Sequence, residues 1–70
     1  MPDRYFVFIE GSKGPQAQIW YGMPTDGNGK PSINTLFEYK LTDRECQLMD
    51  RGFLTLNSLA FRFKHRVNAA

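Results

Sequence analysis

The residues with the greatest chemical reactivity in this chain of 70 are one cysteine and one histidine. A thiol or hydroxyl becomes a catalytic nucleophile when a base lies within hydrogen-bonding reach of it. Cys46 falls in a predicted helix and His65 in a predicted strand, and neither is accompanied by a glycine-rich elbow or an oxyanion loop. We therefore interpret Cys46 as a half-buried helix residue. We assign no catalytic residue and expect a protein that is not an enzyme.

Metal and phosphate sites have equally little support in the sequence. A structural zinc site needs four ligands, most often cysteine and histidine, and this chain has one of each. The segment Gly11-Ser12-Lys13-Gly14 combines glycine with lysine. It lacks the four-residue spacing between glycines and the Lys-Ser/Thr ending of a phosphate-binding loop, and it leads into a strand. We interpret it as a hairpin turn and predict no metal and no cofactor.

The C-terminal residues carry the charge pattern with the clearest functional meaning. Residues 1–50 have five basic and seven acidic side chains, a net charge of −2, whereas residues 51–70 have four basic and no acidic ones, a net charge of +4. A strand here would place Arg62, Lys64 and Arg66 on one face, about 6.6–7 Å apart. Such a row could contact an acidic protein surface or successive nucleic-acid phosphates. The alternative is a solvated basic edge that prevents aggregation of the sheet.

Three segments have the composition of strands. Arg4–Glu10 is β-branched and aromatic with apolar residues on both faces, which predicts a central strand. Gln16–Met23 follows the glycine-rich turn and predicts the antiparallel partner of a hairpin. After a predicted loop at Pro24–Ser32, Asn34–Leu41 predicts a third strand. This strand has a wet face and a dry face: Leu36, Glu38 and Lys40 point one way and Phe37, Tyr39 and Leu41 the other.

A helix is predicted directly after the third strand. Thr42 and Glu45 have the spacing of a capping box, in which each side chain accepts from the other residue's amide. The helix is predicted over Asp43–Arg51 and is expected to end at Gly52, since glycine readily adopts the left-handed conformation that follows a helix.

Residues 53–66 fit two periodicities. Leu59, Phe61 and Phe63 alternate with Ala60, Arg62 and Lys64, which is typical of a strand. A helical spacing is met instead by Leu56, Leu59, Ala60, Phe63 and Val67. The aromatic content favours the strand. The predicted fold class is α+β, a small antiparallel sheet in β-β-β-α-β order packed on one short helix. It forms a single domain, 1–70, with 67–70 as a frayed tail.

The short chain limits how the domain can be stabilised. A chain of this length buries about 60–65% of its unfolded surface, and one cysteine cannot form an intrachain disulfide. Aromatic residues make up 14% of the chain and supply large buried areas, while a homodimer interface stays open as a further source of stability. No apolar stretch reaches the length of a membrane helix, and Met1–Arg4 does not resemble a signal peptide. We expect a cytoplasmic protein without membrane contact.

These observations favour a small non-enzymatic protein-binding module, a stoichiometric inhibitor or adaptor. Aromatic residues, methionine and arginine are enriched at the cores of protein interfaces. The expected anchors are Trp20, Tyr21 and Met23, with Arg62, Lys64 and Arg66 as a second set that meets an acidic partner. Short one-domain chains of this kind include accessory proteins of phages or mobile elements that block a host machine, an analogy of size. The alternative is a nucleic-acid-binding domain that uses the C-terminal basic row, although a net charge of +2 is modest for that class.

Overall fold

An antiparallel sheet in the order β2-β1-β3 forms one layer of the protein. The computed structural model describes residues 3–23, 25 and 34–67. Its strands are β1 at Arg4–Gly11, β2 at Gly14–Tyr21 and β3 at Thr35–Lys40. The central position of β1 and its hairpin with β2 are confirmed. The loop predicted at Pro24–Ser32 lies outside the described residues except for position 25.

The β1–β2 hairpin turns through two residues, Ser12 and Lys13. Gly11 pairs with Gly14, whose φ of +112° lies in a region that glycine enters without steric cost. A Cβ atom on Gly11 would lie 2.9 Å from the Gly14 carbonyl oxygen. Both glycines are therefore required by the turn itself, and the predicted hairpin turn is confirmed.

A β-bulge interrupts the pairing between β1 and β3. Phe8 pairs with Phe37, and the next residue, Ile9, pairs with Thr35, so Leu36 is the extra residue. Exposure alternates along β3, with Leu36, Glu38 and Lys40 exposed and the residues between them partly buried. The predicted wet and dry faces of this strand are confirmed.

Two helices follow the sheet where one had been predicted. They are α1 at Asp43–Asp50 and α2 at Leu56–Phe63, and a 3₁₀ turn at Lys64–Arg66 follows α2. The predicted fourth strand is therefore wrong, and the observed order of elements is β-β-β-α-α. Helical packing overrode the aromatic strand composition, because α2 places Leu59 and Phe63 together on one buried side.

The ends of α1 agree with the sequence pattern. The Glu45 amide donates to Thr42 Oγ1 over 3.1 Å, and the Thr42 amide donates to Glu45 Oε1 over 2.9 Å. At the other end, the Gly52 amide donates to the Met49 carbonyl and the Phe53 amide to the Leu48 carbonyl. These two bonds form a Schellman motif, with Gly52 at a φ of +80°. The capping box and the terminating glycine are confirmed.

The core lies between the two helices and one face of the sheet. It is built from Phe6, Phe8, Leu41, Leu59 and Phe63, with partly buried side chains from both helices packed around it. The ring of Phe63 lies 5.7 Å from that of Phe6, 5.2 Å from that of Phe37 and 4.8 Å from that of Tyr39. Phe63 therefore ties the C-terminal end of α2 to β1 and β3.

Candidate interaction surface

The carboxylate of Glu45 joins three elements at one edge of the core. Its Oε1 accepts from the Tyr39 hydroxyl of β3 over 2.8 Å, in addition to the capping bond from the Thr42 amide. Its Oε2 accepts from Arg62 Nη1 of α2 over 3.2 Å. The Glu45 side chain is only 14% exposed, and that of Arg62 is 56% exposed. Arg62 thus has an acidic partner within the chain, which lowers its value as a contact for an external anion.

These hydrogen bonds change the protonation behaviour of both partners. Burial of Glu45 opposes its charge, but bonds from the Thr42 amide, the Tyr39 hydroxyl and Arg62 outweigh burial and lower the pKa of Glu45. Donation to the carboxylate, followed by burial, raises the pKa of Tyr39. At neutral pH Glu45 is therefore ionised and Tyr39 keeps its proton, which is the state that this network requires.

The three C-terminal cations do not form a row. Because a helix turns about 100° per residue, side chains two residues apart point in nearly opposite directions. Arg62 lies over the Phe63 ring at 4.8 Å, Lys64 Nζ lies 4.4 Å from the Phe61 ring centre, and Arg66 lies over Phe37 at 5.6 Å. The predicted alignment of Arg62, Lys64 and Arg66 on one strand face is wrong, since the segment is helical.

The solvent side of α2 and its 3₁₀ turn has one large apolar side chain. We call it the outer face of α2, and it consists of Asn57, Ser58, Phe61, Lys64 and His65, all exposed. Phe61 is 71% exposed, and it points away from the buried pair Leu59 and Phe63. The stacked ammonium of Lys64 covers part of its ring. Sequence reasoning missed this face, although Phe61 falls outside the helical spacing of the core residues.

The predicted anchors on β2 do not share one face. Trp20 is half-buried on the side of the sheet opposite the helices, and its Nε1 donates to Gln18 Oε1 over 2.9 Å. Tyr21 points to the helix side, because neighbouring strand residues alternate between faces. It is 68% exposed beneath the guanidinium of Arg4 at 5.0 Å, and Met23 is 52% exposed. Tyr21 and Met23 are therefore accessible to a partner, whereas Trp20 is half-buried and hydrogen-bonded to a residue of the same strand.

A cleft of about 540 Å³ lies between α1, the start of β1 and the end of β3. The Arg4 side chain lines it and is 13% exposed. It donates to Asp50 Oδ1 over 2.9 Å and to the Cys46 carbonyl over 3.4 Å. The bond to Asp50 raises the pKa of Arg4 against the opposing effect of burial. Cys46 also lines the cleft, but His65 does not. The cleft therefore contains the Arg4–Asp50 ion pair, and it does not bring Cys46 together with His65 as a nucleophile and its base.

Within the described part of the chain, no three His, Cys, Asp or Glu side chains are grouped so as to hold a metal ion. None of the described helices has the length and apolar character needed to cross a membrane.

No known protein family, curated protein or solved structure matches this chain.

Proposed function

We propose that this protein is a non-enzymatic binding module that acts stoichiometrically, as an inhibitor or adaptor, by docking the outer face of α2 onto another protein. The observation that carries the proposal is the position of Phe61, 71% exposed at the centre of that face. Phe61 is exposed to solvent and does not belong to the core of the domain.

Phe61 has the properties of an interface anchor. Burying one such side chain against a partner contributes about 1.5–3 kcal/mol, and binding energy concentrates in a few aromatic and arginine residues. Lys64 is stacked on the ring at 4.4 Å, which restricts the ring before binding. A restricted anchor loses less conformational entropy when the complex forms.

The charge around Phe61 supports the proposal of an acidic partner. Residues 51–70 contain no aspartate or glutamate. Arg62 is engaged by Glu45, while Lys64 and Arg66 have no carboxylate partner among the described residues. A partner surface that combines an apolar pocket with carboxylates would match this arrangement. The charges would mainly accelerate encounter and orient the complex.

Nucleic acid is the less favoured partner. Base stacking on Phe61 would be compatible with an exposed ring, but tight binding requires several cations that follow the phosphate backbone. The helical geometry separates Lys64 from Arg66, and Arg62 is already paired with Glu45. The experiment must therefore be able to detect nucleic-acid binding as well.

The test is affinity capture from a native extract, with and without nuclease, using matched variants. The double variant Phe61→Ala/Lys64→Ala is expected to lose the captured protein, while Leu36→Ala, which removes a 47% exposed side chain from β3, is expected to retain it. Denaturant melts should show that both variants remain folded. If nuclease treatment abolishes capture of the partner, nucleic acid would be the favoured partner instead of a protein. Equal capture by both variants would exclude the outer face of α2 as the contact.

A further inference from the structure

The outer edge of β2 offers backbone hydrogen-bonding groups away from the sheet. In β1, the Arg4 carbonyl accepts from Leu41 and the Glu10 amide donates to Asn34, so its even-numbered residues bond towards β3. Its odd-numbered residues therefore bond towards β2, where Gly14, Gln16, Gln18 and Trp20 are their partners. The remaining β2 residues direct their backbone groups outward, and among the described residues β2 pairs with β1 alone. These outward residues are Pro15, Ala17, Ile19 and Tyr21.

The opposite edge of the sheet, β3, is protected against pairing with another chain, whereas β2 is not. The outward positions of β3 are the bulged Leu36 and the charged Glu38 and Lys40. Bulges and charges are the usual devices that prevent an edge strand from pairing with another chain. β2 has neither: residues 14–23 contain no charged side chain, and its pairing with β1 is regular. Among the described residues, its one protective feature is Pro15, at the start of the strand.

We propose that β2 pairs antiparallel with β2 of a second copy of this chain, which joins two three-stranded sheets into one. A two-fold axis brings the residues beside it close to their own copies, and like charges facing each other across strands are destabilising. A strand without charge meets its own copy without this penalty. Ala17 and Ile19 supply outward amides and carbonyls near the middle of the strand. The exposed Tyr21 and Met23 lie at or just beyond its end, where a second copy can cover them.

The dimer is independent of the proposed docking face. The outer face of α2 points away from the sheet, so a β2–β2 dimer leaves Phe61 available to another protein. Failure of one proposal therefore leaves the other standing, and the two are measured differently.

The test is the molar mass in solution, by sedimentation velocity or light scattering over a wide concentration range. The wild type is expected to reach the dimer mass. Ala17→Pro removes one outward amide without removing a bond to β1, and edge strands accept proline where the amide faces solvent. This variant is expected to be a monomer, whereas Ala17→Ser keeps the amide and is expected to remain a dimer, as is Phe61→Ala.

A second variant keeps the proposal testable if Ala17→Pro does not fold. Gln16→Lys places an exposed charge on β2 while leaving every backbone group in place, and it is expected to weaken the dimer, most strongly at low salt. A wild type that stays monomeric at every concentration would overturn the proposal. So would a folded Ala17→Pro variant, or a Gln16→Lys variant, that dimerises as well as the wild type.

Discussion

The hydroxyl of Tyr39 lies 2.8 Å from Oε1 of Glu45, and this bond fastens the exposed edge strand β3 to the first turn of α1. The same carboxylate completes the capping box of α1 and pairs with Arg62 of α2. One half-buried side chain therefore orders the approach of both helices to the sheet. Since Arg62 also neighbours the outer face of α2, Glu45 connects the core to the surface that we propose to bind a partner.

The stability of the domain is expected to fall in acid because of Glu45. Its pKa is lowered in the folded state. Its contribution is therefore fully present above the pKa of the unfolded chain and is lost as the pH falls through the lower, folded pKa. Urea melts from pH 7 to pH 3 should show a smaller decrease for Glu45→Gln than for the wild type. An identical pH dependence in both proteins would contradict the hydrogen-bonded role of this carboxylate.

The capping bond of Thr42 is expected to contribute measurably to stability. Thr42→Ala removes the acceptor of the Glu45 amide, a change that costs about 0.5–2 kcal/mol in other helices. The free energy of unfolding from denaturant melts should fall by that amount. Thr42→Ser keeps the hydroxyl and serves as the control. A loss of equal size in the serine variant would assign the effect to the methyl group instead.

The turn between the helices is expected to depend on glycine at position 52. Its φ of +80° lies in the left-handed region, where a side chain costs roughly 1–2 kcal/mol. Apart from residue 52 and its chain neighbours, no heavy atom lies within 4 Å of an added Cβ, so Gly52→Ala tests backbone strain without a clash with another part of the fold. Melts should show a loss of that size, and Gly52→Asn should lose less, because asparagine tolerates this conformation. An alanine variant as stable as the wild type would contradict this account.

Cys46 is expected to have a structural role alone. It is half-buried in α1 and packs against the core, and its cleft is lined by the Arg4–Asp50 ion pair. Cys46→Ser should leave partner capture unchanged and reduce stability by about 1 kcal/mol. A folded variant that no longer captures the partner would give Cys46 a functional role.

Local signals predicted the sheet and α1 because each of those signals is short-range. The two apolar faces of β1, the turn glycines and the Thr42–Glu45 spacing are read within a few residues of the chain. Residues 53–66 could not be decided in this way. Leu59 and Phe63 satisfy both a strand and a helix period, and the rings of Phe6 and Tyr39 that select the helix come from distant strands. The N-terminal signal of α2 was also weaker, since Ser58 takes the position of the usual Glu or Gln in its capping box.

The candidate surfaces were harder to predict than the fold. The prominence of Phe61 depends on the helical assignment, because in a strand it would share a face with the core residue Phe63. Strand alternation already places Trp20 and Tyr21 on opposite faces, but it does not show which of the two side chains stays exposed. That choice depends on packing between elements far apart in the sequence.

Nucleic-acid binding is expected to be weak and indifferent to sequence. Neutralising Z phosphates on duplex DNA gives a log–log salt slope of about −0.9Z. A full set of Arg62, Lys64 and Arg66 would therefore give a slope near −3, and the pairing of Arg62 with Glu45 should bring it closer to −2. Titration of duplex DNA, single-stranded DNA and RNA at about 150 mM salt should give dissociation constants no tighter than ~10⁻⁴–10⁻⁶ M, the range of non-specific binders. Submicromolar, sequence-selective binding that disappears in the triple alanine variant would show that these side chains converge on a nucleic acid, although Lys64 points away from Arg62 and Arg66 in the free domain. Such a result would replace the acidic protein by nucleic acid as the partner of the outer face of α2.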